Sequence, residues 1–137
     1  MIPSYNQRER TRRAVVEAAA TLAALPGERT ELIVVDDGSQ AGNGIQAEDM
    51  PPGAVFVGLR ENQGKGGAVR AGMARAQGDC VIFTDSDLPF SLEPLATTLA
   101  WLRADADIVI GDRLHPESSV TAPVGPLRRL SSAVYTW

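Results

Sequence analysis

Leu32-Ile33-Val34-Val35-Asp36-Asp37-Gly38-Ser39 is the stretch on which the fold turns. Four apolar residues stand in a row with no polar residue between them, so this is not a strand with one wet face. A continuous run rich in Val and Ile, closed by turn residues, predicts a strand buried on both faces, as in a parallel sheet. Outward from it, Val55-Phe56-Val57, Cys80-Val81-Ile82-Phe83 and Ile108-Val109-Ile110 repeat the pattern. Met1-Ile2-Pro3 reads as the end of one more strand. Helical spacing fills the intervals. Val15, Ala18, Ala19, Leu22 and Leu25 share a face that Pro26-Gly27 terminates. Val69, Gly72, Met73 and Ala76 make a second face, with Gly78 as its C-cap. Leu92, Leu95, Leu99 and Leu102 make a third, with Ser91 as N-cap and Pro94 in the first turn. Such alternation predicts one α/β domain, a mostly parallel sheet flanked by helices.

Composition narrows the function. The chain has 137 residues, 44% hydrophobic and 22% charged, which suits one soluble domain. Its net charge of −4 argues against the basic footprint of a general nucleic-acid binder and leaves room only for a local basic patch. With only Cys80 and only His115, a disulfide framework, a cysteine-rich zinc site and a histidine pair are all excluded. No apolar run approaches the roughly 18 residues of a membrane span. The polar start from Met1 to Arg10 is not a signal peptide. The expectation is therefore a cytoplasmic protein. Both ends read as cut, at a strand already under way and at Tyr135-Thr136-Trp137 in mid-pattern.

Ligands of α/β sheets bind beyond the carboxyl ends of the strands. Each expected strand leads into a polar segment: Pro3-Ser4-Tyr5-Asn6, Asp36-Asp37-Gly38-Ser39, Asn62-Gln63-Gly64-Lys65-Gly66-Gly67, Asp85-Ser86-Asp87 and Gly111-Asp112-Arg113. Asp85 and Asp87 lie two apart just off a strand and can share one hard cation. Mg²⁺ and Mn²⁺ take oxygen ligands and complete their shells with water and substrate phosphates; a solvated turn is the plain alternative. Gly64-Lys65-Gly66-Gly67 opens a helix, where N–H groups, the dipole and the lysine charge suit a phosphate. The run matches neither the Walker nor the dinucleotide spacing. Asp36 and Asp37 can accept hydrogen bonds from a base or a ribose, or cap the next helix. Arg128 and Ser132 share one face of a C-terminal helix, while Leu127, Leu130, Val134 and Trp137 share another. That helix suits either a membrane surface or ordinary packing on the domain.

Together, Ile2-Pro3-Ser4-Tyr5-Asn6, Val34-Val35-Asp36-Asp37-Gly38-Ser39, the run Asn62 to Arg70, Asp85-Ser86-Asp87 and Ile110-Gly111-Asp112-Arg113 resemble glycosyltransferase family 2. Within it they resemble the polyprenyl-phosphate, or dolichyl-phosphate, branch. The resemblance implies the GT-A (Rossmann-like) fold, incomplete at both ends. It implies a division into a nucleotide-sugar-binding core over 1–114 and an acceptor-side loop and amphipathic helix over 115–137. Pro3, Tyr5, Asp36, Asp37, Lys65 and Asp85 then meet the nucleotide-sugar. Asp85 and Asp87 hold Mg²⁺ or Mn²⁺, Asp87 and Arg113 are catalytic, and Arg113, Arg128 and Ser132 meet the acceptor phosphate. Gln7 departs from the family pattern, which usually has an acidic residue there.

The implied reaction is an inverting transfer of a hexose from a UDP-glucose-like donor to a polyprenyl phosphate, in a protein peripheral to the inner face of a membrane. A phosphate nucleophile is already ionised at neutral pH, so positioning and electrostatics matter more than a strong base. Two alternatives stay open: a soluble saccharide acceptor, and a non-catalytic nucleotide-sugar-binding fragment. The sugar, the choice of UDP or GDP and the formation of a homo-oligomer are left undetermined.

Overall fold

The computed structural model describes residues 1–88, 92, 94–112 and 115. Its elements run β1 (Ile2–Ser4), α1 (Arg8–Ala23), β2 (Ile33–Asp36), a 3₁₀ turn (Ala47–Asp49), β3 (Val55–Gly58), α2 (Gly64–Met73) and α3 (Leu95–Ala104). The strands form a parallel sheet in the order β1-β2-β3, with Val34 between Ile2 and Phe56. This is the expected α/β architecture, with β2 in the middle.

Side chains of successive strand residues point to opposite faces, and β2 shows why its run had to be apolar throughout. Leu32 and Val34 face α1, packed with Ile2, Ala14, Val15, Ala18 and Ile45. Ile33 and Val35 face α2, packed with Ala68, Val55 and Val57. Val15, Val34, Val35 and Ile45 are 0% exposed. Full burial of each such side chain contributes about 1.5–3 kcal/mol, so this double-faced core dominates the fold's stability. Close approach of α2 depends on Gly72. A Cβ there would collide with Met1 Sδ and stand 3.1 Å from Val35 Cγ2.

The helix ends differ in part from expectation. α1 stops at Ala23, and Gly27 follows with φ +74°. Gly78 does not cap α2, which closes on Ala74; instead the Gln77 and Gly78 N–H groups donate to Glu31 Oε1 at 2.6 and 3.0 Å. Pro94 is the N-cap of α3, and the expected cap Ser91 lies outside the described residues. Leu95, Leu99 and Leu102 keep their shared, half-buried face.

Two of the expected strands are not ladders. Cys80 to Phe83 runs beside β1 on the edge away from β2. The Met1 N–H donates to the Ile82 carbonyl at 2.7 Å and the Thr84 N–H to the Met1 carbonyl at 3.1 Å. Those two bonds bracket Phe83 as one parallel bridge. The next β1 residue facing that edge is Pro3, which has no N–H, so the ladder loses its next donor. Ile108 to Ile110 stands outside the sheet altogether, with Ile108 76% and Ile110 80% exposed. Among the described residues the order is thus β3-β2-β1, with the 82–84 segment beside β1. The sequence order reverses direction beside β1, which places a crevice there.

Candidate functional site

The loops at the carboxyl ends of β1 and β2 are knitted into one rim. Asp36 is buried, and its carboxylate accepts from the Ser39 N–H at 2.9 Å and the Ser39 hydroxyl at 2.6 Å. Ser39 Oγ also accepts from the Asn6 N–H at 2.7 Å, and Asn6 Oδ1 accepts from the Gln40 N–H at 2.9 Å. Asp37, 3% exposed, accepts at 2.8 Å from the N–H of Gln63, the N-cap residue of α2. Gly38 sits between them at φ +66°, pressed against the Glu61–Asn62 backbone, where a Cβ would collide with Glu61. Both aspartates expected to meet a nucleoside thus have inward-turned oxygens that set loop geometry. The capping alternative is realised across space: Asp37 fixes the start of a helix 26 residues further on.

That helix carries Lys65 toward the acidic turn. Lys65 Nζ lies 2.6 Å from Asp85 Oδ1, both side chains about half exposed, and 6.0 Å from the centroid of the Phe83 ring. Asp87 Oδ2 is 4.0 Å from an Arg10 guanidinium nitrogen. Between the two aspartates, Ser86 turns inward. It is 7% exposed, and its hydroxyl donates to Gln7 Oε1 at 2.9 Å. Gln7 is the N-cap residue of α1, and its carbonyl accepts from the Thr11 N–H at 2.9 Å and hydroxyl at 2.8 Å. Thr11 in turn meets the Ser4 hydroxyl at 2.6 Å. A chain of polar contacts therefore runs from β1 through α1 to the acidic turn and leaves Asp85 and Asp87 facing solvent.

Of the residues expected at the site, Lys65 and Asp85 stand in contact while Asp87 faces Arg10, and α2 opens at Gly64 as expected. Sequence reasoning assigned no role to Arg10, Ser39, Gln63 or Ser86, and it noted Gln7 only as a departure from a pattern. Pro3 is buried and Tyr5 is 41% exposed at the end of β1. Gly111 and Asp112 are exposed. Arg113, Arg128, Ser132 and the helix expected over Leu127 to Trp137 lie outside the described residues.

The metal reading can be weighed on the donor set. No cluster of three or more His, Cys, Asp or Glu suited to a metal occurs among the described residues. Mg²⁺ and Mn²⁺, however, are commonly bound by one or two carboxylates, completed by water and substrate phosphate. Two half-exposed carboxylates two residues apart, Asp85 beside the first turn of α2, suit by their donor chemistry a cation that shares a diphosphate. They do not fit a closed protein cage.

One structural ion cluster stands apart from this rim. Asp49, on the 3₁₀ turn, accepts from Arg8 Nε at 2.9 Å and Nη2 at 3.1 Å, and Arg12 Nε lies 3.3 Å away. The Arg8 hydrogen bond, chiefly, holds the Asp49 carboxyl below the usual range.

A parallel sheet flanked by helices, with its strand ends gathered on a glycine-opened helix and paired aspartates, defines an α/β domain of the GT-A kind. The chain belongs to glycosyl transferase family 2, whose family model matches residues 1–132. It is 34% identical over 141 aligned positions to a dolichyl-phosphate beta-glucosyltransferase of Drosophila melanogaster, covering 89% of this chain and 42% of that protein. It is 29% identical over 142 positions to another so named, from Trichomonas vaginalis, covering 94% of this chain and 42% of that one. An undecaprenyl-phosphate 4-deoxy-4-formamido-L-arabinose transferase of Shewanella sediminis is 31% identical over 123 positions, covering 87% and 37%. The chain thus spans about two fifths of the length of these curated relatives. No solved structure matches it. No helix among the described residues is long and apolar enough to cross a membrane.

Proposed function

We propose that this chain is the donor side of a glycosyltransferase that moves a hexose from a nucleotide-sugar to a polyprenyl phosphate with inversion. The observation that carries the donor half is the ion pair of Lys65, in the first turn of α2, with Asp85, two residues before Asp87 in the same acidic turn. The names of the relatives, dolichyl-phosphate and undecaprenyl-phosphate transferases, support the acceptor half.

Each part of the chain then has a task. Tyr5, at the end of β1, offers a half-exposed ring for the base. Pro3 shapes the wall behind it, and Asp36 and Asp37 hold the rim that takes the ribose. Lys65 and the first N–H groups of α2 meet the diphosphate, whose charge suits a helix N-terminus. Asp85 and Asp87 would hold Mg²⁺ or Mn²⁺. Such a cation, when bound, offsets charge on the departing diphosphate. Arg113 sits on the acceptor side, with Arg128 and Ser132, to orient a lipid phosphate by charge-assisted hydrogen bonds. The nucleophile is an ionised phosphate, so these residues position and neutralise; no strong general base is required. Residues 1–114 form the donor core in this reading, and 115–137 rest on the inner membrane surface.

The test is to offer UDP-glucose and GDP-mannose, each with Mn²⁺, to the chain by calorimetry. A short polyprenyl phosphate or a soluble saccharide is then added and the label followed. UDP-glucose binding with label in the organic phase is expected. Label in the saccharide alone would favour the soluble acceptor, and donor binding without transfer would favour a non-catalytic domain.

A further inference from the structure

Lys65 does two things that cannot both happen in a loaded site. Its ammonium sits 2.6 Å from Asp85 Oδ1, on a carboxylate oxygen that a divalent cation would use. Its place in the first turn of α2 is also where a diphosphate would need it. Asp87 is engaged loosely by Arg10 at 4.0 Å, so Arg10 does not replace Lys65 on Asp85. Phe83, bracketed by the two bonds to Met1, lies with its ring centroid 6.0 Å from the ammonium, at the outer limit of a cation–π contact. Both side chains are about half exposed, so the pair is weak and easily opened.

We infer that Lys65 is a resident counter-cation: it occupies Asp85 while the site is empty and passes to the diphosphate when donor and metal arrive together. This rests on reading Asp85 and Asp87 as the metal pair. It adds an order of events. The free protein resists a bare cation, because Mn²⁺ alone must expel Lys65 with nothing to receive the ammonium. The donor's diphosphate supplies that receiver, so metal and nucleotide bind with positive coupling. By linkage the coupling is reciprocal.

The experiment measures Mn²⁺ binding by water-proton relaxation in the 137-residue chain, without nucleotide and then with UDP. The variants are Lys65→Met, Asp85→Asn, Asp87→Asn and the double variant of Lys65 and Asp85. Lys65→Met should bind Mn²⁺ alone about threefold more tightly, the size expected for loss of one exposed pair. The same variant should bind UDP with Mn²⁺ more weakly, so the sign reverses between the two titrations. In the Asp85→Asn background, Lys65→Met should leave Mn²⁺ affinity unchanged, because the pair no longer exists. A general field effect of the lysine charge on Asp87 would persist in that background and would overturn the inference. Equal Mn²⁺ affinity in wild type and Lys65→Met, with Asp85→Asn weakened, would also overturn it while leaving the metal pair standing. If neither Asp85→Asn nor Asp87→Asn changes Mn²⁺ binding, the metal reading itself falls, and the inference with it. Lys65 is exposed and outside the core, so its substitution does not threaten folding.

Discussion

Ile33-Val34-Val35 and Ile108-Val109-Ile110 are almost the same three residues, and they end in opposite places. The first is buried, at 2%, 0% and 0% exposure; in the second, Ile108 and Ile110 are 76% and 80% exposed. The difference is not in the letters. Ile33 to Val35 has β1 on one edge and β3 on the other, with α1 over one face and α2 over the other. Ile108 to Ile110 has no place in the sheet. An apolar run states a demand for burial, and the fold meets that demand only where neighbours on all four sides are available. Cys80 to Phe83 is the intermediate case, with one bridge to Met1 and then a proline on the facing edge.

The sharpest way to break this comparison is to place a charge in each run. Val34→Asp buries a carboxylate with no partner, at a cost of several kcal/mol against a total stability of about 5–15 kcal/mol. It should abolish the cooperative thermal transition seen by circular dichroism. Ile110→Asp puts the same group where the side chain already meets water, and should shift stability by no more than about 0.5 kcal/mol. Equal damage from both would mean that the second run is covered in solution, and the contrast between the two runs would be lost.

The same contrast explains what was legible in the letters alone. The buried strand, the helix opening at Gly64 and the turn at Asp85 to Asp87 are local signals. Each is written in fewer than ten consecutive residues and survives any tertiary arrangement. The polar frame is not local. Ser86 meets Gln7 across 79 positions, Arg8 meets Asp49 across 41, and Asp37 reaches Gln63 across 26. No spacing rule links such pairs. Asp36 and Asp37 show the cost: a polar pair at a strand end reads equally well as ligand-facing or as inward-turned, and only contacts distant in sequence decide. The expected strands that do not form have the same cause, since pairing depends on what lies alongside.

Asp49 sharpens the comparison from the buried side. Its side chain is 6% exposed, yet it joins the 3₁₀ turn to α1 through Arg8 and Arg12. The Arg8 hydrogen bond, first among the causes, depresses its pKa in the folded chain. A depressed carboxylate contributes stability that is full above its unfolded value and is lost as pH falls through its folded value. Asp49→Asn should therefore lower the melting temperature by several degrees near neutral pH. Its curve should converge on wild type in acid, below the ordinary carboxylate range. A gap that stays constant with pH would assign the loss to packing, not to charge.

The smallest expected effect concerns the border between the two regions. Arg103, in the last turn of α3, holds Glu28 in the α1–β2 loop with two hydrogen bonds of 2.6 Å. Glu28 is held below its usual pKa by that contact first of all. α3 contributes no fully buried residue, so this pair and the half-buried leucine stripe tie it to the stable part. Exposed pairs rarely move global stability measurably, since salt screening and side-chain entropy offset the Coulomb gain. Arg103→Gln should leave the urea midpoint where it is. Local opening responds to smaller forces than global unfolding, so α3 amides should exchange faster in the variant while β2 amides do not. Raising salt should narrow the difference, and so should acid, because protonated Glu28 no longer holds the arginine. If β2 exchange rises in step with α3, the helix unfolds only with the core, and the border between the two regions lies beyond Ala104.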